Sequence, residues 1–314
     1  MKASVLSGPR SSRLVELPSP EPGPGDVLIA VKACGVCGSE DYDWTGARGR
    51  YPFRLGHEAS GVVQAVGGQV SCLSPGDRVT GLFREAFAER ALAAAAWVRR
   101  VPEALCFEEA ALGEPPLCAV SGALRIDVGL GKTAVVIGTG FMGLLMLQLL
   151  RLRGACRLVA VDGRREALDR ALAYGAEEAY LPEELPPNYR VHAVREPGGV
   201  DIAVECAGRQ ETLNLAVEML KPHSVLAIVG FHQGPGRMID MEALNWKAAQ
   251  VINAHEKRDE VKMACLEIGM RLVEKGQIRL GEFVTHRYGL EEVDRAFQDY
   301  ETKPAGYVKG VVVP

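Results

Sequence analysis

The chain has 314 residues, is 47% hydrophobic and 24% charged, and carries a formal net charge of −4, a composition that can bury sizeable cores and lies far from that of a disordered chain. The mildly acidic balance offers no electrostatic footprint for nucleic acid or an anionic membrane surface, so neither is expected as a partner. Its eight cysteines are scattered through apolar contexts without the density of a disulfide scaffold. Met1 to Leu6 lack the apolar core and small-residue cleavage site of a signal peptide, and no apolar run is long enough to span a membrane, so a cytoplasmic protein is expected.

The first part of the chain reads as strands and turns. Ala3 to Leu6 and Arg13 to Leu17 are followed by a proline-rich linker over 18–25, then by Asp26 to Ala33 with Val27, Ile29 and Val31 alternating. Gly61 to Val66 and Asp77 to Gly81 continue in that style, with Ser74-Pro75-Gly76-Asp77 as the turn between them, and an antiparallel β domain is expected. Within it, Cys37-Gly38-Ser39 precedes Gly56-His57-Glu58-Ala59-Ser60-Gly61 by twenty residues from cysteine to histidine. Thiolate, imidazole and carboxylate are zinc ligands, and flanking glycines let tight backbone carry His57 and Glu58 into one cavity. A buried thiol and a hydrogen-bonded core histidine are the plainer reading of the same residues.

Further on, the apolar run Thr133 to Ile137 enters Gly138-Thr139-Gly140-Phe141-Met142-Gly143 and then the helical stretch Leu144 to Arg153. The first glycine makes the turn, the second admits a pyrophosphate, and the third lets helix pack on strand. The next apolar run, Leu158 to Val161, ends in Asp162, nineteen residues past Gly143, where a carboxylate accepts both ribose hydroxyls of an adenosine. The helix Arg164 to Tyr174, the strand Asp201 to Cys206, the helix Glu211 to Leu220 and the strand Ser224 to Val229 complete an alternation that reads as a doubly wound parallel sheet. Ligands in such sheets sit beyond the carboxyl ends of the strands, so Gly138, Asp162, Cys206-Ala207-Gly208 and Gly230 are expected to open onto one crevice. Asp162 favours NAD over NADP because a carboxylate repels a 2′-phosphate, while Arg164 and Arg165 pull the other way. The tail, with Phe283 to Tyr288, the helix Leu290 to Tyr300 and the strand Tyr307 to Val313, resumes the β-rich style.

Over essentially its whole length the chain resembles the zinc-dependent medium-chain dehydrogenases and reductases, the alcohol and polyol dehydrogenase superfamily. The resemblance rests on Gly56-His57-Glu58 with Gly61, Gly67 and Val70, on Cys37-Gly38-Ser39, on Gly76-Asp77-Arg78-Val79, on the nucleotide fingerprint and on Asp201 to Gly208. It is nearest the sorbitol dehydrogenase branch, because Gly113-Glu114-Pro115 stands where that branch supplies a glutamate to the zinc. The implied architecture is a β-rich GroES-like catalytic domain over 1–120 and 276–314, and a Rossmann domain over 121–275. The implied ligands are Cys37, His57 and Glu114, with Glu58 or a water completing the set; Glu114 also reads as a helix-start carboxylate. Only Thr80 to Glu85 stand where many relatives carry a lobe with four cysteines, so one catalytic zinc per chain is expected, in a homodimer or homotetramer.

Hydride transfer to a nicotinamide with Lewis-acid assistance is the chemistry that the resemblance implies. Ser39 matches a hydroxyl that relays the proton, Glu40 orients His57 through its other ring nitrogen, and Lys309 matches a basic residue that touches cofactor phosphate. Helix capping for Ser39, a surface place for Glu40 and a solvated lysine at 309 are the alternatives. Tyr42 stands where relatives often have a histidine that ends the proton path. Polar groups at Tyr42, Asp43, Glu58, His255 and Glu256 suit a polyhydroxylated substrate, a polyol, cyclitol or sugar derivative, since each buried hydroxyl needs a partner. Two other readings are an NADPH-dependent quinone or enoyl reductase of the zinc-free kind, which would lack Cys37, His57 and Glu114 together, and a nucleotide-binding protein that has lost catalysis.

Overall fold

A computed structural model describes residues 1–47, 49, 51–191 and 198–314. The chain divides into two compact units, Met1–Leu117 with Leu266–Pro314, and Cys118–Cys265. The divisions fall inside the helices Glu114–Arg125 and Asp259–Glu274.

In the first unit the strand Asp26–Gly35 buries Val27, Ile29, Val31 and Ala33 on one face of its alternation, as a period of two dictates. It lies in a seven-stranded sheet whose order is Val284–Tyr288, Lys309–Val312, Asp26–Gly35, Glu58–Val66, Arg78–Leu82, Val98–Arg100, with Arg90–Ala94 also pairing with Asp26–Gly35. Every pairing is antiparallel except that of Val284–Tyr288 with Lys309–Val312. That exception departs from the all-antiparallel expectation, and its cause is the helix Val293–Thr302, which crosses over between the two strands. The same helix supplies Phe297, stacked on Trp44 at 5.4 Å and edge-on to Phe87 at 6.1 Å, at the centre of the core.

Register decides what meets at the end of this sheet. Gly35 is opposite Glu58 on one side and Val311 on the other. A Cβ at Gly35 would come within 2.3 Å of Glu58 Oε2 and 3.3 Å of Lys309 Cε. Glycine there leaves the space in which those two side chains meet, and Cys37 follows two residues later as the N-cap of the helix Gly38–Trp44.

The second unit is a six-stranded sheet, entirely parallel, in the order Glu178–Tyr180, Arg157–Val161, Thr133–Ile137, Val200–Glu205, Leu220–Ile228, Gln250–Asn253. Numbered along the chain this is 3-2-1-4-5-6, the order of a dinucleotide-binding sheet, with the reversal between Thr133–Ile137 and Val200–Glu205. The strands read as continuous apolar runs because both faces are covered; Val135, Val136, Val159 and Ala160 are all inaccessible. The helix after the glycine turn starts at Phe141, three residues before the sequence expectation, with Gly140 as its N-cap. Leu220–Ile228 starts four residues before Ser224 because the helix Gln210–Met219 passes straight into the strand. Among the described residues no helix is long and apolar enough to cross a membrane.

The tightest steric constraint in this sheet is at Gly143, where a Cβ would lie 2.1 Å from Gly138 O. Gly143→Ala is expected to push the helix Phe141–Leu152 off the strand, at about 1–3 kcal/mol for an overpacked methyl. A melting temperature lowered by several degrees in a thermal scan is the expected result; an unchanged value would show that the helix yields without cost.

Candidate active site

Cys37, His57 and Glu58 converge at the end of the first unit's sheet, their ligating atoms all within 4.8 Å of one another. Donors around one tetrahedral zinc stand roughly 3.5 Å apart, so this trio fits one ion with little rearrangement. His57 Nδ1 lies 3.0 Å from Glu40 Oε1, which leaves Nε2 as the nitrogen for a metal. The same Glu40 oxygen accepts from Gly56 N at 2.7 Å, so one carboxylate fixes both the ring and the turn that carries it. Glu40 is 8% exposed, which excludes the surface alternative. Ser39 does not cap the helix; Cys37 is the N-cap, without a side-chain hydrogen bond, and Ser39 Oγ instead donates to Cys37 Sγ at 3.3 Å.

The carboxylates are distributed differently from the expected ligand set of Cys37, His57 and Glu114. Glu58 belongs to the converging trio, and Glu114 does not. Glu114 is the first residue of the helix Glu114–Arg125, yet it faces the same cluster: burial pushes its carboxyl up, the His57 charge pulls it down, and Glu58 pushes it up again. Lys309 has a partner that the sequence did not suggest. Its Nζ lies 2.5 Å from Glu58 Oε2, and at 6% exposure it is no solvated lysine. Burial disfavours its charge, but Glu58, Cys37 and Glu114 together hold its pKa above the ordinary lysine value. For His57 too, burial works against protonation and is outweighed by Glu40 and Cys37, so its pKa stands well above that of a free imidazole.

In the second unit the three fingerprint glycines do three different things. Gly138 has φ +87°, and a Cβ on it would meet Ala207 Cβ at 2.8 Å. Nothing lies within 4 Å of a Cβ built on Gly140, so the N-terminus of the helix Phe141–Leu152 is open where a pyrophosphate would approach. Gly143 closes helix to strand as above, and Met142 lies in the helix's first turn. Asp162 Oδ2 accepts from Thr139 N at 2.8 Å, and Oδ1 accepts from Arg164 N at 3.0 Å; the carboxylate is held at the turn, with the Arg164 guanidinium 3.4 Å away. Arg165 turns aside to Glu184. Cys206 is a thiol whose pKa burial raises strongly, which fits a packing role beside Ala207 and Gly208.

Of the residues expected to meet substrate, Tyr42 and Asp43 are half-buried on the helix Gly38–Trp44 of the first unit. His255 lies in the second unit, exposed and stacked on Phe231 at 5.8 Å. Glu256 is used internally: it accepts from Lys257 N and Arg258 N and pairs with the Arg258 side chain at 2.8 Å. A residue that sequence reasoning passed over is Glu205, the last residue of its strand, fully inaccessible and bonded at 2.8 Å to Ala207 N and Gly208 N. A carboxylate ending the apolar run Ile202-Ala203-Val204 was the available signal.

The raised proton affinity of His57 has a measurable consequence. A metal takes only the neutral imidazole nitrogen, so binding to the metal-free protein displaces a proton, and zinc affinity rises with pH while His57 remains protonated. Chelator competition at pH 6, 7 and 8 is expected to show affinity climbing up to about tenfold per unit from this group. Affinity independent of pH over that span would mean that Glu40 and Cys37 do not hold the proton.

Comparison with known proteins bears on both units. Residues 23–136 match the family described as alcohol dehydrogenase GroES-like domain, and residues 142–265 match zinc-binding dehydrogenase. Human sorbitol dehydrogenase is 27% identical over 95% of this chain and 92% of its own length. The crystal structure of galactitol-1-phosphate dehydrogenase from Escherichia coli superposes with a TM-score of 0.87 at 25% identity, over 100% of both chains. A protein from Sinorhizobium meliloti 1021 described as a zinc-binding dehydrogenase, solved with NADP, gives 0.86 at 26% identity over 100% of this chain and 99% of its own. With both matches in tandem along one chain, and with a thiol, an imidazole and a carboxylate converging in one unit and a glycine-turn sheet in the other, this chain belongs to the zinc-dependent medium-chain dehydrogenase family and is an oxidoreductase.

Proposed function

We propose that the protein oxidises a secondary hydroxyl of a polyol, cyclitol or sugar derivative, or reduces the matching ketone, with NAD as hydride carrier and one zinc per chain. The observation that carries this reading is the convergence of Cys37, His57 and Glu58 under the orientation of Glu40. Those three residues would hold the ion, with Glu114 as the further carboxyl facing it. Zinc supplies Lewis acidity that eases loss of an alcohol proton, and the nicotinamide supplies the hydride acceptor.

The chain's own residues have distinct parts. Glu40 fixes the tautomer of His57 by taking Nδ1. Lys309 offsets the charge that accumulates when a thiol and two carboxyls share one desolvated place, and so keeps Glu58 at the edge of the metal site. Ser39 Oγ, hydrogen-bonded to Cys37 Sγ, is a hydroxyl placed to hand a proton outward. In the second unit the N-terminus of the helix beginning at Phe141, with its positive dipole end, faces the pyrophosphate, and Asp162, already at the turn, accepts the ribose hydroxyls. Support for the substrate class comes from the carboxylate-type ligand set, from Tyr42 and Asp43 on the helix that Cys37 caps, and from the names of the relatives, sorbitol and galactitol-1-phosphate dehydrogenase. A homo-oligomer is part of the proposal, supported by the exposed Met241, Trp246 and Val251 at and before the sheet's edge strand Gln250–Asn253.

The purified protein is expected to hold about one zinc per chain, and Cys37→Ala is expected to remove both metal and turnover while the fold persists. In steady-state kinetics a polyol or cyclitol should exceed ethanol, butanol and benzyl alcohol in kcat/KM; the opposite ranking would overturn the substrate class.

NAD should be preferred to NADP, and Asp162→Ala should narrow the ratio by about tenfold or more, the scale of a lost charged hydrogen bond. A wild-type preference for NADP would transfer control to Arg164.

A further inference from the structure

We infer that Glu205 is a positioning residue for the coenzyme, a buried carboxylate that sets the loop Cys206-Ala207-Gly208 against the glycine turn; this rests on the dinucleotide reading above. Glu205 ends the strand next to Thr133–Ile137, on the other side of the point where strand order reverses. One oxygen, Oε1, accepts from Ala207 N at 2.8 Å, Gly208 N at 2.8 Å and Thr212 Oγ1 at 2.7 Å. The other, Oε2, lies 2.9 Å from His232 Nε2. The Glu205 carbonyl accepts from Val229 N and Gly230 N, both at 2.8 Å. One residue therefore ties together the loop after its own strand, the first turn of the helix Gln210–Met219 and the loop after Leu220–Ile228.

The link to the coenzyme runs through contact. Ala207, held by the carboxylate, is the residue that a Cβ on Gly138 would strike at 2.8 Å, and Gly138 makes the turn from which the helix Phe141–Leu152 departs. A Cβ on Gly230 would lie 2.5 Å from Glu205 Oε2 and 2.4 Å from Gly208 N, so that glycine exists to let the two loops close over the carboxylate. With the Ala207 and Gly208 amides spent on Glu205, neither is available to a ligand; what the loop offers the crevice is its shape. A carboxylate with four donors also explains how a charged side chain is tolerated with no solvent contact at all, since each donor replaces lost hydration and the helix start adds favourable potential.

The test uses full-length wild type, Glu205→Gln, Thr212→Val and Thr212→Ser. For each, NADH affinity is read by nicotinamide fluorescence, the melting temperature without ligand by thermal scan, and kcat at saturating NAD by absorbance. Glu205→Gln and Thr212→Val should each weaken NADH binding about fivefold, the scale of the net contribution of one typical hydrogen bond. Thr212→Ser, which keeps the hydroxyl, should bind within about twofold of wild type, and kcat at saturation should change little in any of them, so that the loss falls on KM for NAD. If Glu205→Gln does not fold, the valine and serine pair decides. Unchanged NADH affinity in Thr212→Val, or equal loss in Thr212→Val and Thr212→Ser, overturns the inference. Wild type that binds no NADH overturns the dinucleotide reading, and this inference with it.

Discussion

Burying charge is what the structure has to solve, and Glu58 with Lys309 is where it does so. A carboxylate taken from water is costly unless it meets a counter-charge in good geometry, and the pair at 2.5 Å supplies one inside the β-rich unit. The meeting depends on backbone: Gly35, between the strands that carry the two residues, is the position where any side chain would occupy the gap. His57 with Glu40 is the second such pair, and it also dictates which imidazole nitrogen faces Cys37 and Glu58. Remove either compensation and a thiol, an imidazole and two carboxyls would push each other's proton affinities until the donors could not all present lone pairs together.

The second unit meets the same difficulty with a different device. Its sheet is apolar on both faces, and its one fully inaccessible carboxylate among the described residues, Glu205, is satisfied by two amides, a hydroxyl and an imidazole instead of a cation fixed in a strand. Compensation by loop amides ties the charge to loop conformation, whereas compensation by Lys309 ties it to strand register. The first arrangement fixes the loops beyond the strand ends, and the second holds Glu58 beside Cys37 and His57.

The second unit also shows why neighbouring glycines are not equivalent. Gly138 and Gly143 are required by contacts with Ala207 Cβ and Gly138 O, while Gly140 has nothing near it. Space left empty at the N-terminus of a helix is where a phosphate is stabilised by unpaired amides. Crowding on either side keeps that space in register.

The sequence by itself determined the architecture, because the two periodicities and the glycine fingerprint are local properties: alternation at Val27, Ile29 and Val31, apolar runs ending at Gly138 and Asp162, and Cys37 and His57-Glu58 set in glycine turns. Boundaries moved by a few residues, as when the helix capped by Gly140 began at Phe141, and a crossover helix made one strand pair parallel. Only tertiary structure decided which carboxylates do what. That Glu58 joins Cys37 and His57 while Glu114 stands outside the trio, and that Lys309 ends on Glu58, depend on strand register between segments far apart in the chain, and that Glu205 ties two loops and a helix turn together depends on how those segments meet. No pattern along the sequence carries that information, because a buried charge is placed by the partner it finds across the fold, and a partner brought close by register leaves no trace in local spacing.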